Sequence, residues 1–70
     1  MSPRRAVEYI RSFQLPPEEE LFLIECDVRG LSYTQAAGEH HVTPEVIKRR
    51  RQRAYAKIVD EISHKEARGD

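Results

Sequence analysis

Ala6, Ile10 and Phe13 recur at i, i+4 and i+7, with Val7 beside them. That spacing draws one apolar stripe on a helix. Ser2 offers a cap and Pro3 the favoured first position, while Leu15-Pro16-Pro17 closes the element because a residue before proline avoids the helical region. A helix over about 3–14 is expected. Leu21, Ile24 and Val28 form the next stripe, widened by Phe22, Leu23 and Cys26. So broad an apolar arc predicts a central helix packed on more than one side, over about 17–29. Pro17 opens it and Gly30 stops it. Ser32-Tyr33-Thr34-Gln35 is a capping box. It starts a short helix with Ala36 and Ala37, over about 32–40. Val42 is an isolated apolar residue in the connection and is expected to plug the junction. Thr43-Pro44-Glu45 repeats the start signal. Ile47, Ala54, Ile58 and Ile62, spaced 7, 4 and 4, then share one face of a helix over about 44–66, which leaves Val59 outside the core. No segment shows strand alternation or a hairpin turn of the Asn-Gly type. The predicted fold is all-α: a three-helix core plus an N-terminal helix.

Seventy residues imply a single domain spanning 1–70 with a small core, its last few residues disordered. The formal net charge is zero, but the charges are segregated. Val46–Lys57 holds six cations and no acid, whereas Pro16–Asp27 holds five acids and no cation. A polyanion would meet the basic segment locally despite the neutral total. Glu18, Glu19 and Glu20 fall in a first helical turn, where the helix dipole favours negative charge. One cysteine, Cys26, excludes an internal disulfide and fits a reducing compartment. The longest uninterrupted apolar run is Leu21–Ile24, so secretion and membrane spanning are not expected and a cytoplasmic location is.

The third and fourth helices form the informative unit. A short capped helix meets a longer capped helix across a brief connection, and the alanines of the first allow close approach. That is the mechanical requirement of a helix-turn-helix, whose second helix presents its N-terminal turns to the DNA major groove. Glu45, Lys48, Arg49 and Gln52 are candidates to face bases: a carboxylate accepts from cytosine, lysine and arginine donate to guanine, and glutamine pairs with adenine. Ser32, Tyr33, Thr34, Thr43, Arg53 and Lys57 are candidates for phosphate, the hydroxyls because they sit at helix N-termini. Glu45 is informative because a purely electrostatic binder gains nothing from it, whereas a base reader does.

The segment from Leu15-Pro16-Pro17-Glu18-Glu19-Glu20-Leu21 through Gly30-Leu31-Ser32-Tyr33 resembles region 4 of bacterial sigma factors. The similarity continues through Ala37, Val42, Thr43, Val46, Ile47, Lys48, Arg50, Arg53 and Ala54, and covers roughly residues 6–62. The resemblance implies reading of a −35 promoter element by the last helix, with Glu45, Lys48 and Arg49 facing bases, and docking on RNA polymerase. A full sigma factor has a second DNA-melting region that these residues do not supply, so the similarity points to short sigma-like regulators of phages and mobile elements. Two departures stand out. Glu39, His40 and His41 replace the leucines and glycine usual in the turn, and Arg50 and Arg51 fall toward the core side, where their stems can lie along its edge.

Other chemistry is weakly represented. Adjacent His40 and His41 point about 100° apart on a helix, and no cysteine or acid pair completes a metal set, so no metal site is expected. Cys26 reads as a buried, inert thiol. Tyr9, Tyr33 and Tyr55 are too scattered to stack bases. No nucleophile–base pair, phosphate loop or paired catalytic carboxylate is present, and neither enzymatic activity nor a cofactor is expected. Two alternatives accompany double-stranded DNA binding. One is a protein-interaction module that binds RNA polymerase or another partner through the acidic helix or the tail Ile58–Lys65, with homodimerisation through the C-terminal helix as a variant. The other is an accessory protein of phage DNA packaging or recombination.

Overall fold

The computed structural model describes residues 2–68, with side chains through residue 65, and the disorder expected of the last few residues lies outside the described residues. Four helices follow one another: α1 (Pro3–Arg11), α2 (Pro17–Asp27), α3 (Tyr33–His40) and α4 (Pro44–Arg68). No strand occurs among the described residues.

The helix starts follow local chemistry. Ser2 Oγ accepts the Arg5 N–H and caps α1. Both halves of the capping box form at α3: Ser32 Oγ accepts the Gln35 N–H at 3.1 Å, and the Ser32 N–H donates to Gln35 Oε1 at 2.9 Å. Thr43 Oγ1 accepts the Val46 N–H at 3.4 Å and starts α4. The ends depart further from expectation. α1 stops at Arg11 instead of residue 14, because Phe13 and Gln14 close three-residue turns onto Ile10 and Arg11 and Gln14 then takes φ 53°. The chain must reverse there before Pro16. α2 ends at Asp27, and Gly30 adopts φ +75°, a conformation glycine tolerates freely. α4 runs past residue 66 to Arg68.

α2 is central and touches α1, α3 and α4. It parts two buried clusters. Phe22 meets Ala36, Ala37 and Ile47, with Cys26, Leu31, Tyr33 and Val46 around them. Leu23 meets Ile10 and Ala54, with Leu15, Ile24, Val28 and Ile58 around them. The buried residues of α2 are therefore Glu19, Phe22, Leu23 and Glu25, with Cys26 half-buried beside them. The expected Leu21–Ile24–Val28 stripe is shallower, and Leu21 is exposed. Position in the bundle decides this: the face toward α3 and α4 is covered more fully than the face toward the short α1. Val42 does not plug the α3–α4 junction. It is exposed, and Leu31 and Val46 flank the cluster there instead. On α4, Ile47 and Ala54 are fully buried, Ile58 is half-buried, and Tyr55, Val59 and Ile62 are exposed.

Candidate nucleic-acid interface

α3 and α4 are joined by His41, Val42 and Thr43. His41 takes the left-handed conformation (φ 56°, ψ 41°), and the Val42 N–H bonds back to the Ala37 carbonyl at 3.1 Å. A histidine thus fills a joint that glycine usually occupies. It reverses the chain and sets Pro44 to begin α4, whose first turns send Ile47 into the core and leave Glu45, Lys48 and Arg49 exposed.

Glu45, Lys48, Arg49, Gln52 and Arg53 are all exposed. Their spacing puts them on one face of α4, opposite Ile47 and Ala54. Lys48, Arg49 and Arg53 make no ion pair with any of the described residues.

The other three cations of the basic segment behave differently. Arg51 forms a two-pronged pair with Asp27 of α2, Nε to Oδ2 at 2.7 Å and Nη2 to Oδ1 at 2.8 Å. Its Nη1 donates to the Tyr33 hydroxyl of α3 at 3.4 Å, and the guanidinium lies 5.9 Å from the centre of the Tyr55 ring. The Asp27 carboxylate raises the Arg51 pKa further above its already high value. Arg50 Nε lies 3.3 Å from Glu18 Oε2. Lys57 Nζ lies 2.8 Å from Glu19 Oε1 and donates to Oε2 at 3.1 Å. Glu19 is buried, so Lys57, expected to meet phosphate, instead compensates an interior carboxylate of α2. Three acids of the acidic run thus pair with three cations of the basic run across the α2–α4 contact.

Among the hydroxyl candidates, Thr34 is exposed. Ser32 and Thr43 already serve as caps, and Tyr33 is half-buried with its oxygen turned to Arg51. Sequence reasoning missed the pairs Arg51–Asp27 and Lys57–Glu19. The signal available was that Arg51 and Glu19 each fall toward the buried side of their own helix. Comparison with protein-family models, with curated proteins and with solved structures gives no match. The functional reading therefore stands on the residues of this chain.

Near the joint, Glu25 of α2 is buried and accepts from Arg29 Nη1 at 3.0 and 2.7 Å, with His40 Nε2 3.4 Å from Oε2. The Arg29 hydrogen bonds hold the Glu25 carboxyl below its ordinary range, against the upward push of burial and with a smaller downward contribution from His40. The His40 ring also meets Phe22 edge-on at 5.2 Å. Burial pushes the Cys26 thiol up, which makes it a poor nucleophile. Among the described residues no group of three or more His, Cys, Asp or Glu side chains is placed to hold a metal ion, and no helix is long and apolar enough to cross a membrane.

Proposed function

We propose that this protein binds double-stranded DNA sequence-specifically through a helix-turn-helix formed by α3 and α4, and regulates transcription in the manner of sigma region 4. One observation supports this most directly. After the α2 acids have neutralised Arg50, Arg51 and Lys57, three cations with no ion-pair partner among the described residues remain together on the exposed N-terminal half of α4, beside Glu45 and Gln52. A face that mixes a carboxylate, an amide and cations matches the donor and acceptor edges of a major groove better than a uniform basic patch does. Lys48, Arg49 and Gln52 then face bases with Glu45, and Arg53 and Thr34 meet phosphate.

The acidic-helix version of the interaction-module alternative loses ground, because Glu18, Glu19, Glu25 and Asp27 are engaged within the molecule. The deciding experiment is selection from random duplex DNA, followed by affinity measurement across salt concentration. Enrichment of a defined site is expected, with an affinity that falls with salt at a log–log slope of about −0.9 for each phosphate a cation neutralises. Failure to bind any duplex at low salt overturns the reading. On the selected site, Glu45→Gln or Arg49→Ala should alter base preference, whereas Arg53→Ala should weaken all sequences alike.

A further inference from the structure

We infer that the carboxylates of α2 act as a charge mask on α4, neutralising the cations at the flanks of its exposed face so that the outward stripe alone engages nucleic acid. This inference rests on the DNA-binding reading proposed above. Successive helical residues advance about 100°. With Lys48 at zero, Gln52 falls at about 40°, Glu45 at about 60°, Arg49 at about 100° and Arg53 at about 140° around the axis. The buried Ile47 and Ala54 lie near 250°, roughly opposite. The paired cations occupy both margins: Arg51 at about −60° on one side, Lys57 and Arg50 at about 180° and 200° on the other. Asp27 holds the first margin; Glu19 and Glu18 hold the second. The mask thus follows the border between the core and the exposed stripe on both sides.

The chemistry explains what such a mask does. A cation on phosphate adds affinity for every duplex alike, because the backbone bears no base identity. Six free cations along Val46–Lys57 would favour non-specific binding. A guanidinium gripped two-pronged by a carboxylate offers a phosphate nothing until it lets go, since both anions need the same fork. Arg51 is held by Asp27 on α2 and Tyr33 on α3 and is largely covered, so it is the most firmly withdrawn. Glu18 is exposed and approaches the buried Arg50 Nε without closing a hydrogen bond, so this pair is the easiest to release without disturbing the core.

The test uses the full chain with Glu18→Gln, Asp27→Asn and the double variant, titrated against a labelled mixed-sequence duplex over a range of salt. Each freed arginine should steepen the slope of log K against log salt by about 0.9, and the double variant should bind the mixed duplex several-fold tighter at moderate salt. The ratio of affinities for the selected site and the mixed duplex should fall. Adding Arg50→Gln to Glu18→Gln should restore the original slope. Glu18 is exposed, so Glu18→Gln decides the matter even if Asp27→Asn impairs folding. Unchanged slopes in a protein that binds duplex overturn the mask, because the arginines then already reach phosphate in the wild type. A wild type that binds no duplex at low salt overturns the DNA-binding reading itself, and the mask with it.

Discussion

Glu25 and Glu19 are buried carboxylates in a chain with little core to shelter them, and each survives because a cation reaches it. The Glu25 pKa is lowered in the folded state, so its contribution to stability is full above the unfolded value, near 4.5, and is lost as pH falls through the lower folded value. Glu25→Gln is expected to leave the acid limb of a urea-unfolding profile shallower than that of the wild type. Equal limbs would remove Glu25 from the account. Lys57→Met should strand the Glu19 carboxylate and destabilise by about 2 kcal/mol, read as a lower urea midpoint at unchanged slope. Glu19 also shows where sequence reading stops. In the first turn of α2 it has a sufficient explanation in the helix dipole, which hides the i, i+3, i+4 spacing that sets it on one stripe with Phe22 and Leu23. Which stripe of α2 is covered depends on how α4 lies across it, and no spacing within α2 encodes that.

At the scale of elements, starts were legible, whereas of the ends only that of α3, at His40, fell where expected. Ser2, Ser32 and Thr43 cap with their own side chains, an interaction three residues long that a short window contains. The end of α1 depends on the route to Pro16, and the joint after α3 on a conformation that histidine does not advertise. His41 in the left-handed region costs about 1 kcal/mol relative to glycine. His41→Gly should therefore stabilise the fold by up to about 1 kcal/mol, raising the thermal midpoint by several degrees. An unchanged or lower midpoint would mean that the imidazole contributes something the backbone cost conceals. Val42 was legible as an apolar residue in a turn but not as an exposed one, because Leu31 and Val46 reach the junction from flanking positions.

For the whole molecule, the order and type of the four helices followed from periodicity and caps, as did the outward placement of Glu45, Lys48, Arg49, Gln52 and Arg53. The segregation of charge into two runs was equally plain. Their mutual cancellation was not, because residues 24 to 38 positions apart must first be brought together. A protein of this length has about 3–10 kcal/mol of stability to draw on. Ile47 is fully buried where α2, α3 and α4 meet, and Ile47→Ala should remove about 2–5 kcal/mol. Loss of cooperative melting near 37 °C is the expected result, and a midpoint within a few degrees of wild type would show that the α2–α3–α4 cluster is not the keystone. α4 is unbroken over 25 residues, about 37 Å of a molecule 45 Å long, and Val59 and Ile62 stand exposed well beyond the turns that carry Lys48 and Arg49. A grip on its far turns that rolls it about its axis rolls Lys48 and Arg49 through the same angle, so the two ends of this protein share one mechanical phase.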